Sequence, residues 1–501
     1  MGAASAAIAR SRSQQVMPGL FTAIYPVSID LQAMNPRYSI AHDHELLVLL
    51  AGARIWKVTI VKDRFASINS WLMVFAMVFA SWNADAVADT PGNELRVDGT
   101  RLNATMEHMK TFGMSDTGGS TRVAYSDENR VALSYLSALM LQSGLMPRID
   151  VAGNLVARRK GTVAGLAPIV SGSHIDTVPN GGHYDGIVGV MAAIEVARTL
   201  FEAGHDLDHP LEIVVWSNEE GGKTGSRSYM GSVAERELGL LSLGDKTIGD
   251  GISFLGGYPD RLAENARNRG DISAYIELHI EQGAILDREG ISIGVVEGIV
   301  GIKRWNITVD GFANHAGTTP MDQRQDALYV AALIVAEVRR IITAESGKQV
   351  ATVGRLQVHP DVPNVIPGQV VFSLEIRDLD MHKVDQLFSR IRDSATALAE
   401  TNDTTVGFDQ YYESPAVITD ERIKKIVNEA ADILGLLSLH MPSGAGHDAQ
   451  SMKHIAPLGM IFVPSKKGIS HAPGEFTSEQ QITDGANVLL QTIIALDALF
   501  D

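Results

Sequence analysis

The chain has 501 residues, of which 45% are hydrophobic and 20% charged, so it has globular composition and enough length for two domains. The formal net charge is −17 and no basic run offsets it, which argues against nucleic acid and anionic membrane surfaces as partners. The absence of cysteine excludes thiolate catalysis, disulfides and cysteine-held metals, so any metal site must use His, Asp and Glu.

The N-terminal 90 residues differ from the remainder of the chain. The apolar run "WLMVFAMVFASW" is too short for a stable membrane span, follows the charged "VKDRFASINS", and precedes an Ala86-Val87-Ala88 sequence. This combination is typical of a secretory signal, so we predict a signal-peptide-like segment at 61–88 and a non-native extension at 1–60. A buried helix or an N-terminal anchor is the alternative. If the segment is used, the protein is periplasmic or secreted; otherwise it is cytoplasmic.

From about residue 93, amphipathic helical patterns alternate with compact apolar runs. Such an alternation predicts a mainly parallel α/β sheet, whose strands are buried on both faces. We assign residues 89–300 and 415–501 to this catalytic domain. The predicted helices lie at 130–144 and 186–204, and the predicted strands at 167–176, 210–220, 274–283 and 458–465.

Residues 301–414 show a different order of predicted strands and helices. Strand patterns in "KRWNITVDG", "ATVGRLQVH", "GQVVFSLEIRDLD" and "TVGFDQYYE" are separated by two amphipathic helices. The order β-α-β-β-α-β is the ferredoxin-like pattern. We therefore predict a small α+β domain inserted into the larger one.

Ligand-type side chains follow the predicted strands of the larger domain. They are His174, Asp176 and Asp185 after the first, Glu219 and Glu220 after the second, His279 in the third, and His471 beyond the fourth. Because functional groups of open α/β sheets gather at the carboxyl ends of strands, we expect these side chains to share one crevice. We expect His183, in the same glycine-rich turn, to be exposed and without a role.

His and carboxylate donors without thiolate suit Zn, Mn, Co or Ni. Two ions about 3.5–4 Å apart need a shared carboxylate, and Asp185 is placed to bridge. Asp176 is expected to hold the far ring nitrogen of His174. Adjacent strand residues point in opposite directions, so one of Glu219 and Glu220 is expected to bind metal while the other takes a proton from water. The residues alone predict a hydrolase with two divalent ions per subunit.

Seven motifs in order, "GSHIDTVPNGG", "NEEG", "ELHIEQG", "NHAGTTPM", "NVIPG", "SGAGHDAQ" and "ISHAPGE", resemble the hydantoinase/carbamoylase branch of the zinc aminoacylase superfamily. That branch includes N-carbamoyl-L-amino-acid hydrolases, β-ureidopropionases and allantoate amidohydrolases. The resemblance covers the chain from about residue 97 to the C-terminus. It implies metal-dependent cleavage of a linear C–N amide bond, with an N-carbamoyl-L-amino acid as the first choice of substrate.

The resemblance also implies individual roles. The implied metal ligands are His174, Asp185 and His279 for one ion, and Asp185, Glu220 and His471 for the other. The implied substrate-binding residues are Gln282, Asn364, Arg377 and His447. Glu219 becomes the general base, and His315 of the inserted domain steadies the developing oxyanion. Members of the branch are usually homodimers joined through the small domain, which also acts as a lid.

For three of these residues, a purely structural role is the alternative. Arg377, in "LEIRDLD", could pair with Asp378 or Asp380 on a solvated strand end. Asn364 precedes "VIPG" and could serve that turn. His315 lies in a Gly/Thr/Pro turn, where packing rarely requires an imidazole, so a functional role is favoured.

Three other functions remain open from the sequence. The nearest is an allantoate or ureidoglycolate amidohydrolase, then a dipeptidase or aminoacylase, and last a catalytically silent binding protein. No predicted ligand or base is missing, which argues against the silent protein. The chain reads "NEEGGKTGSRSYMGS" where relatives commonly place a small residue and then Arg-Phe after "EEG", so substrate choice does not transfer from any one relative.

Overall fold

The computed structural model describes residues 95–500, together with an antiparallel pairing of β1 (Glu45–Leu46) with β2 (Val58–Thr59). Residues 1–91 form one unit and residues 92–501 another. The predicted signal-like segment at 61–88 lies outside the described residues, as does the predicted extension at 1–60 apart from β1 and β2. All further elements belong to the second unit.

A nine-stranded sheet forms the larger domain, in the order β14-β8-β16-β7-β5-β6-β4-β3, with β15 also paired to β8. Its strands are β3 (Met146–Ile149), β4 (Leu155–Arg159), β5 (Ile169–His174), β6 (Leu211–Trp216), β7 (Ala274–Ile280), β8 (Ile293–Ile299), β14 (Val417–Ile418), β15 (Ser438–Ser443) and β16 (Leu458–Val463). The central strands β16, β7, β5 and β6 run parallel, so their carboxyl ends share one edge. The predicted α/β class is confirmed.

The central strands are buried throughout because both faces of the sheet are covered. Ile213 and Leu278 face one hydrophobic core, whereas Val214 and Phe462 face the other. Every residue of β5, β6, β7 and β16 is buried, which explains why the sequence shows continuous apolar runs there rather than alternation.

Helices pack on both faces of this sheet. They are α1 (Gly99–Met109), α2 (Asp127–Gln142), α3 (Ile187–Glu202), α4 (Thr224–Tyr229), α5 (Ile248–Phe254), α6 (Ile285–Glu289), α9 (Glu421–Ile433) and α10 (Glu479–Leu499). Within residues 95–500, α10 is the one helix long and apolar enough to cross a bilayer. Its buried residues, including Leu489 and Ile493, belong to the core of the larger domain, so it is a core helix.

Residues 301–414 form a separate antiparallel sheet in the order β10-β12-β9-β13, with β11 also paired to β12. The elements are β9 (Gly301–Asp310), α7 (Ala327–Ala344), β10 (Val350–Thr352), β11 (Leu356–His359), β12 (Gln369–Asp378), α8 (Met381–Thr401) and β13 (Thr405–Ser414). The strand expected at 351–359 is divided into β10 and β11, because the Arg355 amide between them donates to the Ser373 hydroxyl instead of a strand carbonyl.

The sheet of this smaller domain is covered on one face only. Burial alternates along β9 and β12, and the inward residues pack against α7 and α8 as a core of their own. Trp305 stacks on Phe388 with ring centroids 4.0 Å apart. We call residues 301–414 the lid domain and the nine-stranded domain the floor.

Candidate active site

Five ligand-type side chains meet at the carboxyl edge of the floor. Asp185 lies at their centre: its Oδ1 is 3.1 Å from His279 Nε2 and 3.8 Å from His174 Nε2. Its Oδ2 is 2.9 Å from His471 Nε2, which is itself 3.4 Å from Glu220 Oε1. The structure therefore brings the predicted ligands into one cluster around a shared carboxylate.

The cluster contains two groups of three donors, each within 4.8 Å: His174, Asp185 and His279, and Asp185, Glu220 and His471. Backbone carbonyls accept from the Nδ1 atoms of His174 and His279, which leaves both Nε2 atoms to face Asp185. These donor types and the shared carboxylate suit two divalent ions.

Electrostatics also favour cations at this position. Burial raises the pKa of Glu220 to about 8, and burial also raises the pKa of Glu219. The hydrogen bond to Asp185 raises the pKa of His471 to about 9. The protein alone thus does not supply enough positive charge to keep all these carboxylates ionised, and two divalent ions would.

Glycines in the opening turn allow this close approach. Gly186 has φ +69°, and a Cβ there would lie 2.4 Å from the His174 ring. A Cβ on Gly182 would lie 2.0 Å from Glu475 Oε1. Any larger residue at either position would push apart the segments that carry the ligands.

Glu475, which sequence reasoning missed, joins two ligand-bearing loops. Its Oε1 accepts from the amides of Tyr184 and Asp185, at 2.8 and 3.1 Å. Its Oε2 accepts from the Ser470 hydroxyl and the His471 amide, at 2.9 and 3.3 Å. The residue closes the motif "ISHAPGE", so its position next to a predicted ligand was the available signal.

Asp176 lies at the far ring nitrogen of His174, as expected, but the hydrogen bond uses its backbone. The Asp176 carbonyl accepts from His174 Nδ1 at 3.0 Å, and the carboxylate Oδ1 lies 3.7 Å from the same nitrogen. Its carboxylate instead accepts from the amides of Glu219 and Glu220, at 3.3 and 3.1 Å. Asp176 therefore orients the acidic pair, because it anchors the turn from which both side chains project.

Strand alternation does not explain how Glu219 and Glu220 come to face different partners, as the sequence had suggested. Strand β6 ends at Trp216, and both glutamates lie in a turn that follows Asn218, whose φ is +56°. The side chains of Glu219 and Glu220 nevertheless lie next to different partners. Glu219 Oε2 lies 3.9 Å from His174 Nε2, whereas Glu220 faces His471.

A cavity of about 430 Å³ opens above the cluster, between the floor and the lid domain. Its lining residues outside the ligand cluster and Glu219 are Gly222, Lys223, Gln282, Ile302, Arg304, Arg377, Tyr412, Ser414, Ala445, Gly446 and Gln450. Gln282 donates to Asp185 Oδ2 at 2.8 Å, so this predicted substrate residue touches the central carboxylate. Arg377 pairs with Glu375 at 2.6 Å rather than with Asp378 or Asp380, and it faces the cavity.

Three predicted residues lie outside the cavity lining. His315 and Asn364 are exposed and adjacent on the lid domain, where the Ala316 amide donates to the Asn364 carbonyl. His447 is buried behind His279, with ring centroids 4.5 Å apart, and its Nε2 bonds to the Ser443 hydroxyl at 2.7 Å. Burial holds the pKa of His447 well below its usual value, so its ring is neutral.

His183 was wrongly expected to be exposed. It is only 7% exposed, and its Nε2 donates to the Gly118 carbonyl at 3.0 Å. The turn is covered by the segment around Gly118, which contact the local sequence does not reveal. His183 therefore ties the ligand-bearing turn to the N-terminal part of the floor.

Comparisons with known proteins agree with this architecture. The model of peptidase family M20/M25/M40 matches residues 170–495. The chain is 36% identical over 402 residues to an N-carbamoyl-L-amino acid amidohydrolase of Geobacillus stearothermophilus, which covers 79% of this chain and 98% of the relative. It is 35% identical over 406 residues to an allantoate amidohydrolase of Bacillus subtilis, covering 78% and 96%.

A solved structure is similar over the same span. An amidase of the hydantoinase/carbamoylase family from Burkholderia multivorans superimposes with a TM-score of 0.74 at 36% identity, covering 80% of this chain and 98% of that one. The family match spans the ligand-bearing turns and the inserted domain at 301–414. The chain therefore belongs to peptidase family M20/M25/M40, in its hydantoinase/carbamoylase branch of amidohydrolases.

Proposed function

We propose that this amidohydrolase cleaves N-carbamoyl-L-amino acids to the amino acid, carbon dioxide and ammonia. The observation that carries the proposal is one cavity with two opposed walls. The Asp185-centred cluster and Glu219 lie on the floor, and Arg377 faces them from the lid domain. A guanidinium can donate two parallel hydrogen bonds to the substrate carboxylate. Binding of the carboxylate to Arg377 would direct the carbamoyl group to the floor.

The same cluster supports the assignment of a metal pair. His174, Asp185 and His279 would hold one divalent ion, and Asp185, Glu220 and His471 the other, with Zn, Mn, Co and Ni as the candidates. When bound, such ions polarise the substrate carbonyl and lower the pKa of water. Gln282 supports the bridging geometry, because its amide donates to Asp185 Oδ2.

Glu219 is the proposed general base. It takes a proton from the attacking water as the water oxygen forms a bond to the carbamoyl carbon. It then passes that proton to the amino-acid nitrogen as the C–N bond breaks. The products are the free amino acid and carbamate, and the carbamate decays to ammonia and carbon dioxide. Asp176 positions Glu219 through its backbone amide.

The lid domain supplies the remaining proposed groups. His315 would stabilise the developing oxyanion, and Asn364 beside it would contact the substrate. Both are outside the cavity in this structure, so they must arrive by movement of the lid domain or from a second protomer. Exposed apolar side chains around them support a homodimer through the lid domain: Phe312 is 62% exposed and Met321 78%. Sedimentation of the purified protein tests the dimer, and a monomer at all concentrations would contradict it.

Ammonia release by the purified chain, reloaded with Mn or Zn, tests the reaction. The substrates are N-carbamoyl-L-amino acids, N-carbamoyl-β-alanine, allantoate, ureidoglycolate and several dipeptides, with amine release measured for the peptides. Turnover confined to N-carbamoyl-L-amino acids supports the proposal. Preferred turnover of allantoate or ureidoglycolate assigns the chain to ureide breakdown, and cleavage of peptides alone contradicts the proposal.

We also propose that the segment at 61–88 exports the enzyme. The support is sequence alone: a charged start, a short apolar middle and a small-x-small end. N-terminal sequencing of the protein from its native host tests this. A mature start near Asp89 supports export, and an intact Met1 contradicts it.

A further inference from the structure

Outside the ligand cluster, the cavity is polar and positively charged. Lys223 reaches it from the floor, and Arg304 and Arg377 reach it from β9 and β12 of the lid domain. Apolar side chains contribute little, the larger ones being Ile302 and Tyr412. A wall of this kind favours a small, strongly polar substrate side chain over a large apolar one.

The lid side carries one net positive charge. Glu375 lies between the two arginines, with its Oε2 2.6 Å from Arg304 Nε and its Oε1 2.6 Å from Arg377 Nε. The Arg304 guanidinium also lies over the Tyr412 ring, 4.7 Å from its centroid. Two guanidinium groups and one carboxylate sum to a single positive charge, which one substrate carboxylate neutralises.

Lys223 provides a separate positive charge on the floor side. Among the described residues, its Nζ has a neutral hydrogen-bond partner, the Gln450 side-chain amide oxygen, at 2.5 Å. Arg377 reaches a different point of the same loop, because its Nη1 donates to the Gly444 carbonyl at 2.7 Å. Lys223 and Arg377 therefore bond to the loop at 444–450 at two different residues, Gln450 and Gly444.

We propose that Lys223 is a specificity-determining residue that binds a second anionic group of the substrate. The preferred substrates are then N-carbamoyl-L-amino acids with an acidic side chain. The lid arginines take the α-carboxylate, and Lys223 takes the side-chain carboxylate. A substrate with one carboxylate offers no second anion to Lys223, so it forms one ion pair fewer in the cavity and binds more weakly than an acidic substrate. This inference rests on the proposed function, because it assumes that N-carbamoyl amino acids are hydrolysed.

Steady-state kinetics on matched substrates test this proposal. The pairs are N-carbamoyl-L-aspartate with N-carbamoyl-L-asparagine, and the corresponding glutamate with glutamine, which differ in charge and little in size. We expect the unmodified enzyme to prefer the acidic member by about tenfold or more in kcat/KM, and Lys223→Met to remove most of that preference through KM. The control is Arg227→Gln, since Arg227 lies on helix α4 directly after Lys223 but pairs with Glu237 at 2.7 Å, outside the cavity lining.

Titration calorimetry adds a measurement that needs no turnover. N-carbamoyl-L-aspartate is titrated into Glu219→Gln with and without Lys223→Met, and we expect the second substitution to weaken binding about tenfold. Equal loss of kcat for acidic and neutral substrates in Lys223→Met would overturn the proposal, since Lys223 would then act on the neighbouring Glu219.

Different results would overturn the role of Lys223 and the proposed function. Preference for neutral N-carbamoyl-L-amino acids by the unmodified enzyme overturns the role of Lys223 and leaves the proposed function intact. Failure to hydrolyse any N-carbamoyl-L-amino acid, with turnover of another substrate class, overturns the proposed function and this inference together.

Discussion

The floor and the lid domain differ in how completely their site residues are assembled. His174, Asp185 and His279 are at most 5% exposed and already converge through backbone hydrogen bonds and Glu475. On the lid domain, Arg304 and Arg377 face the cavity, whereas His315 and Asn364 are exposed and outside it. The floor is therefore preorganised for the proposed metal pair, whereas the proposed substrate contacts of His315 and Asn364 are not assembled in this structure.

This difference implies that metal binding and substrate processing are separable. Substitutions on the lid domain should change kcat and leave metal affinity unchanged. Substitutions of floor residues that position the ligands, such as Glu475, should lower metal affinity and leave kcat at saturating metal largely unchanged. The two domains also have separate hydrophobic cores, which allows one to be weakened without rebuilding the other. Four substitutions test how far this separation holds.

The largest effect is expected for Glu219→Gln. The amide cannot accept the proton, so kcat should fall by about 10³-fold or more, at the upper part of the range for general-base catalysis. Metal content should stay at the level of the unmodified enzyme, because Glu219 is not a proposed ligand. Stopped-flow or endpoint ammonia assays with elemental analysis of the same sample measure both. Near-normal turnover would remove Glu219 as the base.

His315→Ala should be next. Loss of one oxyanion-stabilising group lowers kcat by about 10²-fold, with a small change in KM and no change in metal content. His382→Ala is the control, because His382 is an exposed histidine on lid helix α8 that contacts Gln386. If KM alone rises, His315 contributes uniform substrate binding instead of stabilising the transition state.

Glu475→Gln tests the floor side of the comparison. Gln keeps the shape but weakens four hydrogen bonds that position Asp185 and His471, so metal affinity should fall about 10- to 100-fold. Activity measured across a series of buffered free-metal concentrations reports the affinity, and kcat at saturating metal should largely recover. The matched control is Glu479→Gln, an exposed position in the first turn of α10. Equal kcat loss at saturating metal would mean that Glu475 acts beyond metal positioning.

Much of this site was predictable from the sequence, for a physical reason. A parallel sheet brings the carboxyl ends of its strands to one edge, so His174 and His279 are neighbours, and the glycine-rich turn after β5 brings Asp185 to them. Apolar runs identified the buried strands, and the β-α-β-β-α-β order identified the inserted domain. These signals depend on burial averaged over several residues, which sequence patterns record well.

The residues that were misjudged depend on single long-range contacts. Glu475 reaches Asp185 across 290 residues, and His183 is covered by Gly118, so no local pattern reports either contact. At His174 Nδ1, the Asp176 carbonyl is 3.0 Å away and the carboxylate 3.7 Å away, so backbone geometry gives the hydrogen bond to the carbonyl. Strand β6 ends three residues before Glu219, and Asn218 between them adopts a left-handed conformation that ordinary strand periodicity does not predict.

The smallest effect is expected from Phe388→Leu in the core of the lid domain. Phe388 stacks on Trp305 at 4.0 Å and meets Phe408 edge-on at 5.8 Å, so the change should cost about 1–2 kcal/mol of unfolding free energy. Denaturant titration measures that loss, with Phe201→Leu at a half-exposed surface position as control. Metal affinity should not change, because this core shares no residue with the floor. A parallel loss of metal affinity would show that lid domain and floor unfold as one unit, and would contradict the separation that the geometry implies.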